Sequence, residues 1–222
     1  MNRTTILIPT FNQKDFLVEA VESALAQTTP CDIVIVNDGS TDGSRFVIDD
    51  YADRAKIIHQ VNKGLPSARN TGIMNATTEL VLMLDSDDKL MPTAVERLEK
   101  VFDDTDADIV SASFTHFGLN NSDVILQMRP TLEDFKSGNK IGYSSLFRRS
   151  DLLEIGGYSP RMIWGFEDLH LTYNLLIRGK KIYTIPEPLW MYRIRANSMI
   201  SVANQHADEL MTQIRHDFPG VV

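Results

Sequence analysis

Cysteine is almost absent from this sequence of 222 residues, because Cys31 is its single thiol. One cysteine cannot form a disulfide within the chain, and it cannot supply the several thiolates of a cysteine-based metal site. The composition therefore excludes a disulfide-stabilised extracellular scaffold and is typical of a protein from a reducing compartment.

Long apolar runs and excess positive charge are missing as well. No apolar stretch approaches the roughly 20 residues of a membrane-spanning helix. Met1-Asn2-Arg3 leads directly into a predicted strand, without the apolar segment of a signal peptide. The formal net charge of −8 disfavours broad electrostatic attraction to nucleic acid. We therefore expect a cytoplasmic protein with no nucleic-acid partner, and we leave peripheral membrane contact and the oligomeric state open.

The order of apolar segments predicts a single α/β domain. Strands alternate with amphipathic helices in the first half, residues 1–105, which is typical of a mostly parallel central sheet with helices on both faces. The predicted strands are 5–10, 32–36, 56–61 and 79–84, and the predicted helices are 15–27, one ending near Ala52, and 64–76. The second half, 106–202, is mixed, with extended segments at 108–117, 123–129, 140–148, 181–185 and 190–194 and a helix at 166–177. Residues 203–222 form a polar C-terminal tail whose order the sequence leaves open.

Three carboxylates crowd the end of the fourth predicted strand. The apolar run 80–84 is followed at once by Asp85, Asp87 and Asp88. Neighbouring carboxylates raise each other's pKa unless a cation lies between them, and hard oxygen ligands suit Mg²⁺ or Mn²⁺. Because ligands of open α/β sheets bind at the carboxyl ends of the strands, the cluster predicts a metal site at that edge. The alternative is a solvated acidic turn in which Asp88 caps the helix that Pro92 begins.

Five short motifs follow one another along the chain. They are Pro9-Thr10-Phe11-Asn12, Asn37-Asp38-Gly39-Ser40-Thr41-Asp42, Asn62-Lys63-Gly64-Leu65-Pro66-Ser67-Ala68-Arg69-Asn70-Thr71-Gly72, Leu84-Asp85-Ser86-Asp87-Asp88 and Trp164-Gly165-Phe166-Glu167-Asp168. In this order they resemble family 2 glycosyltransferases, and the resemblance covers roughly residues 4–200. It implies a GT-A fold whose second half forms the acceptor side. It also implies an inverting enzyme that uses a nucleotide-sugar donor, with a UDP-sugar expected, and Mn²⁺ or Mg²⁺ as cofactor.

The same resemblance assigns the nucleotide site to the ends of the first strands. The residues expected to bind the nucleotide are Pro9, Thr10, Phe11, Asn12, Asp38, Gly64, Arg69, Asp85 and Ser86. By resemblance, Phe11 stacks on uracil and Asp38 accepts the uracil ring N–H. Arg69 reaches the base or the pyrophosphate, and Asp85 contacts the ribose. Read as residues alone, the alternatives are a core or staple side chain for Phe11, a turn-forming residue for Asp38 and a surface salt bridge for Arg69.

Metal binding and catalysis fall to two further carboxylates by the same resemblance. Asp87 is expected to ligate the metal that bridges the donor diphosphate. Asp168 is expected to be the general base that takes the proton from the acceptor hydroxyl. Glu167 and Trp164 are candidate diphosphate or acceptor contacts. By position alone, Glu167 and Asp168 are equally explained as favourable charges at a helix N-terminus.

Arg195 is a departure from the family pattern. Members often carry a histidine in the basic, aromatic segment that corresponds to 190–198, whereas arginine stays protonated and cannot ligate a metal. Either Arg193 or Arg195 contacts the diphosphate and shares its charge neutralisation with a weakly bound metal, or the metal and the activity are lost. A shifted alignment in which His206 reaches the site from the tail is a third reading. The remaining histidines share no ligand spacing and are expected to be structural or at the surface: His59, His116, His170 and His216.

Other functions fit parts of the sequence. A nucleotide-sugar-binding module without transferase activity fits the Arg195 departure. A nucleotidyltransferase is disfavoured, because Asn12-Gln13-Lys14-Asp15 follows the first strand where a Gly-rich basic loop is usual. A nicotinamide dehydrogenase is disfavoured because no G-x-G-x-x-G follows that strand. The acceptor is left open among glycan, lipid-linked and protein hydroxyls, with contacts expected from 143–148 and 162–166.

Overall fold

The computed structural model describes residues 1–196 and 199–221. The strands are β1 (Thr4–Thr10), β2 (Asp32–Asp38), β3 (Lys56–Gln60), β4 (Leu80–Met83), β5 (Lys89–Leu90), β6 (Ile109–Gly118), β7 (Ser122–Val124), β8 (Leu146–Arg148) and β9 (Ile182–Ile194). The helices are α1 (Lys14–Leu25), α2 (Ser44–Asp49), α3 (Leu65–Asn75), α4 (Ala94–Asp104), α5 (Leu132–Phe135), α6 (Arg149–Glu154), α7 (Glu167–Leu176), α8 (Met199–Gln205) and α9 (Ala207–Asp217).

These strands form one sheet in the order β3-β2-β1-β4-β8-β6-β9-β5, with β7 paired to β6. β3, β2, β1 and β4 run parallel. The short strand β8 is antiparallel to both β4 and β6, and β6 and β9 form a long parallel pair. Most paired residues therefore lie in parallel ladders, and the predicted α/β domain with a mixed second half is confirmed.

Helices cover both faces of the sheet, so every residue of β1 is buried. Ile6 and Ile8 share one core with Leu17 of α1, whereas Leu7 between them points into a second core with Ile73 of α3. A Cβ added at Gly72 would lie 2.2 Å from a Leu7 methyl carbon. Only glycine therefore lets α3 pack this closely on β1.

The strand β9 corrects the prediction of two separate strands at 181–185 and 190–194. It runs unbroken through Pro186 and Pro188. The register of the β6–β9 ladder shifts between Ala112 and Phe114, opposite these prolines. At such an irregularity the ladder does not require the missing proline N–H, so the strand continues. The extended segments predicted at 123–129 and 140–148 are also shorter than expected, since only β7 and β8 form there.

The C-terminal segment is helical and packed. In α9, Leu210 and Ile214 are buried, and they join the core that contains Leu169 and Leu171 of α7. Phe218 completes this contact just beyond the helix. The apolar positions of the segment are few, but they lie four residues apart and so share one face of the helix.

Candidate active site

The carboxyl ends of β1, β2 and β4 open onto a cavity of about 530 Å³. Parallel neighbouring strands end at the same edge of a sheet, which is where ligands of such sheets bind. The predicted site residues that line the cavity are Pro9, Thr10, Phe11, Asp38, Gly64, Asp85, Ser86, Asp87, Trp164, Arg193 and Arg195. The predicted residues that do not line it are Asn12, Arg69, Glu167 and Asp168. Six more residues line the cavity without having been predicted as individual site residues: Gln13, Asn62, Leu65, Ala68, Ile163 and Tyr192. Ile163 lies in the segment 162–166 that was expected to contact the acceptor.

Asp38 is held at the end of β2 by the loop that precedes α3. It is almost fully buried and accepts hydrogen bonds from Gln60 Nε2 at 2.7 Å, the Lys63 amide at 3.0 Å and the Gly64 amide at 2.9 Å. Gly64 has a φ of +85°, a conformation that glycine adopts without strain. A carboxylate offers about four acceptor positions, so Asp38 retains room for one further N–H donor from the cavity.

Phe11 and Asn12 have different surroundings although they are adjacent. Phe11 is 43% exposed at the cavity, so it is not a core side chain. Asn12 has a φ of +53°, which is uncommon for a residue other than glycine. Its amide donates to Ser40 Oγ at 3.0 Å, and its Oδ1 accepts from the Thr41 amide at 2.8 Å. Asn12 therefore holds the end of β1 against the turn after β2 and leaves Phe11 facing the cavity.

Asp88 lies beneath the acidic turn. It is almost fully buried and accepts hydrogen bonds from the Tyr143 hydroxyl at 2.5 Å and the Arg193 amide at 2.7 Å. Burial, together with the neighbouring Asp87 carboxylate, raises the pKa of Asp88 well above its ordinary value. Thr93 is the residue that precedes α4, so Asp88 does not cap that helix. The alternative of a solvated acidic turn is therefore wrong, because one carboxylate of the turn is anchored inside the protein.

Arg69 is the largest fully buried side chain of the described residues and is only 1% exposed. Its Nη1 donates to Glu167 Oε1 at 2.6 Å and its Nη2 to Asp85 Oδ1 at 2.8 Å. The guanidinium also lies over the rings of Tyr143 and Tyr158, at 5.4 Å and 5.1 Å from the ring centroids. The surface salt bridge weighed from the sequence is thus excluded. Arg69 links a carboxylate that lines the cavity to the first residue of α7, from a position behind the cavity wall.

The carboxylates at the start of α7 are held differently from each other. Glu167 is buried on Arg69, and burial raises its pKa to about 7 against the opposing effect of that guanidinium. Asp168 is half-buried, with Oδ2 accepting from Asn139 Nδ2 at 2.9 Å and Oδ1 from the Leu169 amide at 2.8 Å. Burial raises the pKa of Asp168 as well. Phe166, immediately before the pair, has a φ of +58°, and backbone strain of this kind is concentrated at functional sites.

Two arginines at the end of β9 cover the acidic turn. Arg193 Nε donates to the Asp87 backbone carbonyl at 2.7 Å, and its Nη2 donates to Glu19 Oε1 at 3.0 Å. Arg195 forms an ion pair with the Asp87 carboxylate through Nη2, and its Nη1 donates to Gln13 Oε1 at 3.0 Å. Asn197 and Ser198, the last two residues of the predicted basic segment, lie outside the described residues.

The donor set at the turn fits a divalent metal only if a ligand completes it. Within residues 1–196 and 199–221, no three His, Cys, Asp or Glu side chains are grouped to hold a metal. Burial and the Asp85 carboxylate raise the pKa of Asp87, so the charge of this carboxylate is not fully compensated even beside Arg195. Mg²⁺ and Mn²⁺ commonly bind through one or two carboxylates together with substrate phosphates. Asp87 therefore suits an ion shared with a diphosphate.

The histidines of the described residues do not surround this turn. His206 is stacked on Trp164, with 4.6 Å between the ring centroids and 8° between the planes, and it pairs with Glu209. The other histidines contact protein groups elsewhere: His59 contacts Asp49, His116 contacts Ser122, and His170 and His216 contact Asp217. His206 therefore lies beside a cavity residue without being a ligand of the acidic turn.

Known proteins are similar to this chain in sequence. The sequence model described as Glycosyl transferase family 2 matches residues 5–172. A protein of Nostoc sp. with the name Uncharacterized glycosyltransferase alr2836 is 40% identical over 227 residues, which cover 93% of this chain and 70% of that protein. Two relatives from Bacillus subtilis and Streptococcus pneumoniae are longer, and this chain spans 63% and 32% of their lengths.

Solved structures share the fold. The structure of S. aureus TarS 1-349 in complex with UDP-GlcNAc has a TM-score of 0.78 and 19% identity, and covers 96% of this chain and 66% of its own. The mannosyltransferase PcManGT from Pyrobaculum calidifontis in complex with GDP-Man and Mn²⁺ has a TM-score of 0.74 and 18% identity, with 96% of this chain and 64% of its own covered.

Proposed function

Because the chain belongs to glycosyl transferase family 2, we propose that it transfers a sugar from a nucleotide-sugar donor to an acceptor hydroxyl with inversion. The observation that carries the proposal is that an exposed aromatic, a buried acceptor and an acidic turn all line one cavity. The fold relatives TarS and PcManGT were solved with UDP-GlcNAc and with GDP-Man, respectively. We expect a UDP-sugar as the donor.

The nucleotide half of the proposed site follows from the contacts at β1 and β2. Phe11 offers its exposed ring for stacking on a base, a contact that every base can make. Asp38 offers a carboxylate oxygen to a ring N–H, which uracil carries on its imide nitrogen and cytosine lacks. Asp85 offers the ribose hydroxyls an acceptor that Arg69 holds in place.

The chemical step needs one base. The acceptor oxygen attacks the anomeric carbon, its proton passes to Asp168, and the bond from that carbon to the diphosphate breaks with its electron pair leaving on phosphate oxygen. Burial raises the pKa of Asp168, which makes it a stronger proton acceptor when ionised. Asp87 would hold a Mg²⁺ or Mn²⁺ ion, which would supply charge neutralisation for the leaving diphosphate.

Exchange of Asp168 for Asn tests the proposal. UDP- and GDP-sugars are first screened for thermal stabilisation of the protein with and without Mn²⁺, and transfer is then measured as nucleotide release with a panel of glycan, lipid-linked and protein acceptors. We expect Asp168→Asn to lose about 100-fold or more of the turnover, the range of general base catalysis, with little change in nucleotide Kd. Asp208→Asn, at an exposed position of α9, is the matched control. Equal turnover in Asp168→Asn and the parent would remove the base assignment.

A binding module without transferase activity is the second candidate. Arg195 favours it, because the guanidinium pairs with the carboxylate that a metal would use. Such a module would bind a UDP-sugar but release no UDP with any acceptor in the panel. UDP release by the parent chain would exclude it.

The acceptor side of the proposal rests on the exposed residues Ile163 and Trp164 at the cavity. Aromatic and apolar side chains suit the faces of sugar rings, and the same pair suits a lipid-linked acceptor. None of the helices within residues 1–196 and 199–221 has the length and apolar content needed to cross a membrane.

A further inference from the structure

Arg195 lines the cavity and forms an ion pair with Asp87, the proposed metal ligand. Its side chain is 25% exposed, and it contacts Asp87 through one terminal nitrogen and Gln13 through the other. Both contacted residues line the cavity. The guanidinium keeps its charge at any working pH, so this pair persists until another ion displaces it.

The side chains of Arg193, in β9, and Arg195, just beyond it, are held to different degrees. Arg193 is anchored by the Asp87 carbonyl and by Glu19, and its guanidinium lies 4.6 Å and 4.3 Å from the ring centroids of Phe16 and Phe117. Arg195 shares only the Phe16 ring, at 5.1 Å, and its buried Nε has no hydrogen-bond partner among the described residues. Exchange of partners is therefore easier for Arg195 than for Arg193.

A divalent ion and Arg195 need the same carboxylate. A cation that binds Asp87 competes with the guanidinium, because Arg195 already pairs with Oδ2 of that carboxylate. Asp85, the other carboxylate of the turn that lines the cavity, is paired with Arg69 through Oδ1. The displaced guanidinium then needs an anionic partner inside the cavity. Phosphate oxygens supply one, because the planar fork of arginine matches phosphate geometry.

We propose that Arg195 is an exchangeable cation: it neutralises Asp87 while the cavity is empty, gives way to the divalent ion and then binds the donor diphosphate. This inference rests on the proposed function. Ion and nucleotide binding then become cooperative. The ion replaces Arg195 at Asp87 and so frees the guanidinium for the diphosphate, and the diphosphate draws the guanidinium away and so frees Asp87 for the ion. Such a coupling is reciprocal, so the ion must tighten nucleotide binding by the same factor as the nucleotide tightens ion binding.

Arg195→Gln separates the two roles of this side chain. Mn²⁺ binding to the nucleotide-free protein is followed by the EPR signal of free Mn²⁺, and UDP binding is measured by calorimetry with chelator and with Mn²⁺. We expect Arg195→Gln to bind Mn²⁺ about tenfold more tightly without nucleotide and to bind UDP about tenfold more weakly without metal, each the effect of one removed charge contact. Arg97→Gln removes an exposed arginine that pairs with Glu187, and it should change neither value.

Unchanged or weakened Mn²⁺ binding in Arg195→Gln would overturn the inference, as would unchanged metal-free UDP binding. Thermal unfolding establishes that the variant is folded. If it is not, Arg195→Met replaces it, because an unbranched side chain of similar length also removes the charge without supplying a ligand for a hard metal ion, and the same two shifts are expected. A parent protein that binds neither UDP nor GDP refutes the proposed function instead. The Mn²⁺ titration of the free protein still judges the competition at Asp87.

Discussion

Replacement of Arg69 by Gln is the sharpest test of the buried network behind the cavity. The change leaves the Glu167 carboxylate buried with no cation, while Asp85 keeps partial access to water. Removing one partner of a buried ion pair costs about 3–5 kcal/mol. The exposed pair of Arg97 and Glu187 should contribute about 1 kcal/mol or less, so Arg97→Gln is the matched control.

The loss should depend on pH, and its sign follows from Glu167. The folded-state pKa of Glu167 is raised to about 7 from an ordinary value of 4.5, so folding binds a proton and this group's contribution to stability falls as pH rises through that window. Without Arg69 the folded pKa rises further. The variant should therefore lose more stability than the parent between pH 6 and pH 8.5, by about 1.4 kcal/mol for each unit that the pKa rises within that window.

Urea unfolding followed by the fluorescence of Trp164 and Trp190 measures both quantities. The double variant Arg69→Gln with Glu167→Gln should lose the added pH dependence, because no unpaired carboxylate remains at position 167. A loss in Arg69→Gln no larger than in Arg97→Gln at both pH values would refute the buried-network argument. A loss of about 4 kcal/mol without any added pH dependence would refute the assignment of its electrostatic part to Glu167.

The remaining predictions concern the base-binding surface and the C-terminal segment. Phe11→Ala should weaken UDP binding by about 1–3 kcal/mol in calorimetry through lost stacking, with little change in urea stability because the ring is exposed. An unchanged UDP affinity would place the base elsewhere. Leu210→Ala should cost about 2–5 kcal/mol in unfolding free energy, because this side chain is buried in the core of α9 and α7. Val202→Ala, at an exposed position, is its control, and equal stability of the two variants would mean that α9 does not stabilise the domain.

The pattern of the first half could be predicted because its causes are local. Buried strands are continuous apolar runs, and helices show apolar residues at spacings of three and four, so β1 to β4 and their helices follow from short windows of sequence. The convergence of Phe11, Asp38 and Asp85 on one cavity also follows, since parallel strands end at one edge. The prediction of two separate strands in place of β9 was wrong. The strand continues through its prolines because its register shifts against β6, and no local sequence pattern indicates such a shift.

The partners of the charged residues could only be decided by the tertiary structure. Arg69 contacts Glu167, which lies 98 residues further along the chain, and Arg195 contacts Gln13, which lies 182 residues earlier. The spacing of residues along the chain predicts neither pair, because the sequence around an arginine does not show whether its side chain contacts solvent, a phosphate or a buried carboxylate. Local sequence patterns were enough to predict the class of fold and the edge of the sheet, at the carboxyl ends of its parallel strands, that carries the site. The packing of β9 and α7 against that edge decided which carboxylates are neutralised inside the protein, because such contacts join segments distant in sequence.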